Sequence, residues 1–239
     1  MISVEGTVSG DEKRLSDFLL ANPDLERLEI MVPDLNGMLR GKWISAQSIP
    51  KVLLGAARIP LASYCADIWG KDVDAAGVAG ALGDPDGKMI PSLSTLCMIP
   101  WSKGNAAQVF ASIVTDQNQL SPYDPRQLVK NQIAKLQQRG LKPVIAAELE
   151  FHLFRQRDDA SLQPSPPARA GGSPVFNLEN MSEVEDCLRA IQAAAKCQNL
   201  PIDTIIAEYG DAQFEVNLIH TDDALVAADV AVAARAAFS

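Results

Sequence analysis

Polar and apolar residues alternate strictly in two segments of the second half of the chain. Residues 148–153 read Glu-Leu-Glu-Phe-His-Leu, and residues 213–218 read Gln-Phe-Glu-Val-Asn-Leu. Because successive side chains of a β-strand point to opposite faces, each segment predicts a strand with one apolar face and one polar, partly acidic face. Carboxylate oxygens are preferred ligands of hard divalent cations. The pattern therefore predicts a carboxylate metal site built from two strands.

The same alternation has a second interpretation, because any half-solvated strand shows it. Two observations favour the metal site. The arrangement occurs twice, and neither segment contains Lys or Arg among its acidic residues. Like charges that share a face repel one another unless cations are present. His152 has the same parity as the acidic residues of its segment, but we interpret it as a surface or core-edge histidine.

The first half of the chain predicts a small α+β module. Amphipathic periodicity indicates a helix over about residues 11–20, and a strand over residues 25–32 ends at Pro33. The Asn-Gly pair within Asp34–Lys42 predicts a hairpin, since Asn-Gly readily adopts positive φ. A helix near residues 46–54, a turn at Gly83–Gly87 and strands near 96–99 and 108–114 complete this module.

The second half predicts helices alternating with the two acidic strands. A helix begins near Pro125 and ends before Gly140, and the Pro- and Gly-rich stretch 155–174 predicts an exposed loop. Ser182 and Glu185 have the spacing of a capping box at the start of another helix. We therefore expect two domains, residues 1–120 and 121–239.

Composition and charge restrict the classes of function. The chain is 47% hydrophobic and 21% charged, as in ordinary globular proteins, and we expect it to be cytoplasmic because no secretory signal or apolar span is apparent. A net charge of -9 argues against binding to nucleic acids or to anionic membranes. There is no Gly-rich phosphate loop, and only two histidines are available as imidazole bases. Any nucleotide would therefore have to be held through metals.

Several motifs, in this order, resemble the glutamine synthetase family and its relatives that join glutamate to amines. The matching stretches are Pro33–Gly37 with Arg40–Lys42, Gly83–Gly87, Ile99–Trp101, Ser121–Arg126, Glu148–Phe154, and Glu208 followed by Gln213–Glu215. The resemblance implies an α+β fold, with an N-terminal β-grasp domain to about residue 120. The first part of the catalytic domain would follow, as an incomplete antiparallel half-barrel with flanking helices.

The resemblance also implies the site residues and the chemistry. Glu150, Glu208 and Glu215 would bind one Mg²⁺ or Mn²⁺ ion, and Glu148 would bind a second. Substrate binding is implied for Glu150 and Glu208, and nucleotide binding for Asp203 and His220. ATP would phosphorylate the γ-carboxylate of glutamate, and ammonia or an amine would attack the acyl phosphate. Family members form ring-shaped homo-oligomers.

Two departures from the family pattern affect these expectations. Ammonia-using members carry an acidic residue in a Phe-Asp-Gly-Ser-Ser loop, whereas Leu61–Asp67 reads Leu-Ala-Ser-Tyr-Cys-Ala-Asp. This difference favours the branch that ligates amines or polyamines, with Asp67 as a candidate substitute. The resemblance also covers only the first half of the family's length, so we expect a truncated site in which Glu148 lacks partner ligands.

Three hypotheses of function follow. The first is an ATP-dependent glutamate–amine ligase represented by its N-terminal half, which we expect to bind metal weakly and not to turn over alone. The second is a catalytically inactive truncated module with a folding or interaction role. The third is a metal-dependent hydrolase that uses the same carboxylates.

Overall fold

The computed structural model of the protein describes residues 5–71, 73, 83, 85–158, 160–166 and 173–238, with only the backbone described at 5–9. The chain folds into two compact units, Met1–Gly140 and Leu141–Ser239. Each unit contains both helices and strands, which confirms the predicted α+β class. No helix in the described ranges is long and apolar enough to cross a membrane.

The first unit is built on a mixed sheet. Its described helices and strands are α1 (Glu5–Ala21), β1 (Arg27–Pro33), β2 (Leu39–Ser45), β3 (Arg58–Pro60), β4 (Asp86–Pro91), β5 (Cys97–Met98), β6 (Ala106–Val114) and α2 (Pro125–Gln138), with a 3-10 helix over Ala46–Leu54. The strand order is β2-β1-β6-β4-β3, and β5 also pairs with β6. Strands β1 and β6 run parallel, and the other described pairs are antiparallel.

The core of the first unit lies against β1 and β6. Ile30 and Val32 of β1, with Val109 and Ile113 of β6, are fully buried. Strand β6 is almost wholly apolar and buried because it has neighbours on both sides in the sheet. Tyr64 is also fully buried, and its hydroxyl accepts a hydrogen bond from the Ile113 amide at 2.9 Å. Its burial, aided by the Asp124 carboxylate, raises the Tyr64 pKa well above the ordinary value.

The hairpin predicted within Asp34–Lys42 is confirmed, and a buried aspartate organises its loop. Strands β1 and β2 pair with Pro33 opposite Leu39. The Asp34 Oδ1 atom accepts hydrogen bonds from the backbone N–H groups of Asn36 and Met38, both at 2.8 Å. Its Oδ2 atom forms an ion pair with Arg40 Nε at 3.0 Å. The Arg40 side chain is therefore used within the loop.

Replacement of Asp34 by alanine is expected to destabilise the first unit by about 3 kcal/mol, because it removes a buried carboxylate with three partners. Asp34→Asn keeps an acceptor for the two loop amides and loses only the ion pair, so we expect a loss of about 1 kcal/mol. Urea denaturation of both variants measures the difference. Equal losses would assign the stabilisation to Arg40 rather than to the loop amides.

Helix α2 begins and ends where the sequence predicts. The Asp124 side chain accepts hydrogen bonds from the backbone N–H groups of Arg126 and Gln127, Pro125 occupies the first turn, and Gly140 has φ of 69°. The helix lies within the first compact unit, whereas the predicted domain boundary precedes it at residue 120. The boundary at residue 120 was inferred from the sequence, whereas the compact units are defined by contacts in the structure. The domain boundary therefore stays a prediction.

The second unit contains a three-stranded antiparallel sheet, a small hairpin and three helices among its described residues. Its elements are β7 (Glu148–His152), β8 (Phe154–Gln156), β9 (Leu162–Pro164), α3 (Leu178–Glu183), α4 (Glu185–Cys197), β10 (Ile202–Ala207), β11 (Gln213–Leu218) and α5 (Ala224–Ala237). The sheet order is β10-β11-β7, and β8 pairs with β9. Both predicted acidic strands are therefore confirmed, and they are neighbours.

Two local predictions for the second unit are wrong. Ser182 does not cap a helix: it lies inside α3, where its hydroxyl donates to the Leu178 carbonyl, and α4 begins after Val184 without a side-chain cap. The stretch predicted as the loop 155–174 contains most of the β8–β9 hairpin. Residues 159 and 167–172 of that loop, and Asp84 of the predicted turn at 83–87, lie outside the described residues.

Candidate metal centre

The four glutamates predicted as metal ligands lie on one face of the β10-β11-β7 sheet. In the register of β11 with β7, Glu215 is directly opposite Glu150, and Asn217 is opposite Glu148. Directly opposed residues of an antiparallel pair have Cβ atoms about 5 Å apart on the same face. The backbone N–H of Glu208 donates to the Gln213 carbonyl at 2.8 Å, which continues the β10–β11 pairing and places Glu208 on this face as well.

We refer to this surface as the acidic face. It includes Glu148, Glu150, His152, Glu208, Gln213, Glu215 and Asn217, and Thr204 and Ile206 of β10 lie on the same side of the sheet. The opposite face packs into the unit through Phe214 and Val216, which are at most 1% exposed. The alternation of apolar and polar residues therefore explains why the carboxylates share one face: the other parity of each strand is needed for the core.

Side-chain amides accompany two of the carboxylates. Gln213 Nε2 donates to Glu150 Oε2 at 2.7 Å, and Asn217 Nδ2 donates to Glu215 Oε1 at 2.8 Å. The sequence placed both amides on the acidic face by parity but did not identify their role. Amide and carboxylate residues alternate in β11, which indicates that such hydrogen bonds can form. Only the pairing of the strands shows that Gln213 reaches Glu150.

The turn between β10 and β11 holds the edge of the acidic face near Glu208. The Tyr209 N–H donates to Glu208 Oε2 at 3.2 Å, and the Gly210 N–H donates to Gln213 Oε1 at 2.8 Å. The His152 Nδ1 atom lies 3.1 Å from the Asp211 carbonyl oxygen. Because a carbonyl only accepts, Nδ1 is the donor, so His152 fastens the turn to β7.

The electrostatics of the acidic face favour a bound cation. Two carboxylates stand directly opposite each other at Glu150 and Glu215, an arrangement that destabilises a sheet when no cation is present. Glu215 is also only 8% exposed, which reduces its screening by water. None of the strands β7, β10 and β11 contains Lys or Arg. The donor set, composed of carboxylates on a rigid sheet, fits a hard divalent ion.

The side chains of the acidic face are not converged on a common point. Across the described part of the chain, no group of three or more His, Cys, Asp or Glu side chains is arranged to hold a metal ion. Glu150 and Glu215 each accept a hydrogen bond from a side-chain amide through one carboxylate oxygen, and Glu208 accepts one from the Tyr209 backbone. Binding of one ion by several of these carboxylates would require some of the side chains to rotate towards one another.

The two residues predicted to bind a nucleotide lie towards the other end of this sheet. His220 lines a pocket of about 250 Å³, together with Ile145, Ala146, Ala147, Pro201, Leu218, Ile219, Thr221, Val226, Ala227 and Val230. Asp203 is exposed and occupies a register shift in β10 between Ile202 and Thr204. It does not line the pocket. Ala147 and Leu218, which line the pocket, have the parity of the apolar face of the sheet, and no residue of the acidic face lines it.

In the first unit, the candidate substitute for the missing acidic loop residue is used in a turn. The Asp67 Oδ1 atom accepts hydrogen bonds from the backbone N–H groups of Trp69 at 2.8 Å and Lys71 at 2.9 Å. The neighbouring carbonyl of Ala66 accepts from Asn36 Nδ2 at 2.7 Å, which ties this turn to the β1–β2 loop. These contacts give Asp67 a structural role within its own unit.

Comparison with known proteins gives a family match over the second unit and helix α2 of the first. Residues 122–238 match the family model described as "Glutamine synthetase, catalytic domain". Gamma-glutamylputrescine synthetase PuuA of Escherichia coli (strain K12) is 31% identical over 98% of this chain and 52% of its own length. Glutamate–isopropylamine ligase of a Pseudomonas species is 26% identical over 92% of this chain and 48% of its own length.

A solved structure shares the fold. The structure titled "GmaS/ADP complex-Conformation 1" matches with a TM-score of 0.74 and 21% sequence identity, covering 94% of this chain and 48% of that chain. At this identity the likeness concerns the fold alone. The chain spans about half the length of the curated relatives it matches.

Proposed function

This chain belongs to the glutamine synthetase family, and from that premise we propose that its acidic face is the metal-binding part of a glutamate–amine ligase site. The observation that carries the proposal is the direct opposition of Glu150 and Glu215 on a sheet face whose strands lack Lys and Arg. A solvated strand face has no need to place two carboxylates opposite each other.

Three glutamates are assigned to one divalent ion and one glutamate to a second. Glu150, Glu208 and Glu215 would hold Mg²⁺ or Mn²⁺, and Glu148, on the next row of the same face, would contribute to the other ion. Bound at this face, such ions would supply positive charge to the phosphates during phosphoryl transfer. The carboxylates of Glu150 and Glu208 also suit the ammonium group of glutamate, since ionised carboxylates accept hydrogen bonds from it.

The apolar pocket that His220 lines supports a place for the base of ATP. Its volume of about 250 Å³ is below the roughly 300–1,000 Å³ typical of pockets that enclose a whole ligand. We therefore assign only the base to the pocket, with the phosphates on the acidic face. The His220 ring would stack or hydrogen-bond with the base, whereas Asp203, on the exposed bulge, is assigned to the ribose or to solvent.

The acceptor is proposed to be an amine rather than ammonia. Two features support this: the relatives named for putrescine and isopropylamine, and the absence of a Phe-Asp-Gly-Ser-Ser motif at Leu61–Asp67. The first unit is proposed to be the β-grasp domain of the family. The half-barrel form of the second unit, ring-shaped oligomers and a cytoplasmic location remain predictions from the resemblance.

The test is formation of γ-glutamyl products from glutamate, ATP, Mn²⁺ and a panel of amines, with hydroxylamine as a general acceptor. It uses the 239-residue chain and the product of the whole reading frame that encodes it. We expect Mn²⁺ binding by the chain and ATP-dependent γ-glutamyl transfer by the whole product.

Two outcomes of this test would contradict the ligase. Mn²⁺ binding without any γ-glutamyl product from the whole reading frame would favour the inactive module. Release of phosphate from ATP at a rate independent of glutamate would favour the hydrolase. Formation of the hydroxamate by the 239-residue chain alone would overturn both the inactive module and our expectation that this chain does not turn over by itself.

A further inference from the structure

Gln213 has contacts that differ from those of Asn217, the other side-chain amide on the acidic face. Its side chain joins two elements that are distant in sequence: Nε2 donates to Glu150 Oε2 on β7 at 2.7 Å, and Oε1 accepts from the Gly210 N–H at 2.8 Å. Asn217, by contrast, bonds within its own strand to Glu215. Gln213 therefore links the β10–β11 turn to the Glu150 carboxylate on β7.

The orientation of the Gln213 amide is determined by its two partners. The backbone N–H of Gly210 can only donate, and an ionised carboxylate can only accept, so Oε1 must face Gly210 and Nε2 must face Glu150. The charge on the carboxylate also strengthens that hydrogen bond. Only one oxygen of Glu150 takes part in it, which leaves Oε1 of the same carboxylate to meet a cation.

The turn that anchors Gln213 is itself held from several sides. The Gln213 N–H donates to the Gly210 carbonyl at 3.1 Å, the Leu153 N–H donates to the Ala212 carbonyl at 3.0 Å, and His152 bonds to Asp211 at 3.1 Å. A Cβ on Gly210 would lie 2.6 Å from Gln213 Oε1 and 2.9 Å from His152 Cε1. Glycine at this position therefore lets both side chains close over the turn.

From these contacts we infer that Gln213 is a positioning residue, which holds the Glu150 carboxylate in place for a divalent cation on the acidic face. The inference rests on the proposed function, because it presumes that Glu150 is a metal ligand. Hydrogen-bonded partners of metal ligands fix ligand orientation, and their loss typically lowers metal affinity by about 10- to 100-fold. Gln213 would act on the ion through Glu150 without touching it.

The first test compares two amide replacements of equal charge. Gln213→Leu removes both hydrogen bonds, and Gln127→Leu removes an amide that bonds to Asn131 on α2 in the first unit. Isothermal titration with Mn²⁺ should show about 10- to 100-fold weaker binding for Gln213→Leu and unchanged binding for Gln127→Leu. Wild-type affinity in the Gln213 variant would overturn the inference.

A double-mutant cycle separates positioning from a general loosening of the turn. In a Glu150→Ala background the carboxylate that Gln213 holds is absent, so adding Gln213→Leu should not further weaken the residual Mn²⁺ binding by Glu208 and Glu215. If the second replacement weakens it as much as it does in the wild type, Gln213 acts on the turn as a whole and the inference fails.

A crystal structure of each protein without added metal makes the inference testable apart from the proposed function. We expect the Glu150 carboxylate to keep one conformation in the wild type and to change it, or to occupy several, in Gln213→Leu. An unchanged Glu150 in the variant would overturn the positioning role whatever the metal affinity. If the wild type does not bind Mn²⁺ at all, the proposed function and the role of Gln213 towards a metal fail together, even if Glu150 is held as described.

Discussion

Replacement of Glu215 by glutamine is expected to lower Mn²⁺ affinity by at least about 100-fold, beyond the loss expected when an outer partner of a ligand is removed. Glu215 lies in the central strand of the sheet, directly opposite Glu150, and is 8% exposed. The substitution removes one charge with little change in shape. It therefore tests the ligand assignment without creating a cavity.

The same variant should be slightly more stable than the wild type when no metal is present. Two carboxylates that face each other across a strand pair repel one another, and removing one charge should raise the free energy of unfolding by about 0.5 kcal/mol. With metal present, the wild type should become the more stable of the two proteins. Mn²⁺ at one hundred times its Kd for the wild type should stabilise the wild type by about 2.7 kcal/mol and the variant hardly at all. Thermal unfolding with and without Mn²⁺ measures both effects.

The matched control is Glu12→Gln, which removes the same charge from an exposed position on α1 in the first unit. Its Mn²⁺ affinity should equal that of the wild type. Identical titration curves for Glu215→Gln and the wild type would refute the metal assignment. Equal weakening in both variants would mean that the protein attracts Mn²⁺ only through its net charge.

The second large effect is expected at Gly41, in the motif Arg40-Gly41-Lys42 that contributed to the family resemblance. Gly41 lies in β2 opposite Met31 of β1. A Cβ at this position would lie 2.1 Å from the Ile30 carbonyl oxygen and 2.9 Å from the α-carbon of Met31. Both are backbone atoms, which can move only if the ladder between the two strands is disturbed. We expect Gly41→Ala to destabilise the first unit by about 3 kcal/mol.

Gly10→Ala is the control for this prediction, because it is the same substitution at an open site. Apart from the backbone of its own helix α1, no atom lies within 4 Å of the position that a Cβ on Gly10 would take. Alanine is the better helix former by about 1 kcal/mol, so this variant should be as stable as the wild type or more stable. Urea denaturation of the two variants should give shifts of opposite sign. A Gly41→Ala protein with wild-type stability would show that β2 can move away from β1.

The motifs from which the family was identified serve different physical purposes. Asp34 and Arg40 form an internal ion pair, and Gly41 permits the close approach of two strands. These residues build the hairpin rather than a ligand site. The four glutamates of the acidic face, in contrast, have no partner of opposite charge in β7, β10 or β11. A sequence motif alone does not distinguish these uses, because both produce charged residues at regular spacing.

Helix bounds were predicted correctly where several sequence features of helix ends occurred together. For α2, the cap at Asp124, the proline of the first turn and the glycine after the helix all agreed, and the helix bounds were predicted well. At Ser182 a single pair of capping residues was outweighed, because the preceding residues already form α3 with Asn177 as its cap. One local signal is worth about 1 kcal/mol and is easily exceeded by tertiary packing.

The parity of the acidic face was determined by the sequence alone. Alternation assigns Phe214 and Val216 to the core, and Glu215 must then point the other way, whatever the strands pair with. Only the tertiary structure decided that Glu215 stands opposite Glu150 and that Gln213 reaches the same carboxylate. Register depends on pairing between segments more than sixty residues apart, and a shift of two residues would preserve every face while changing every partner.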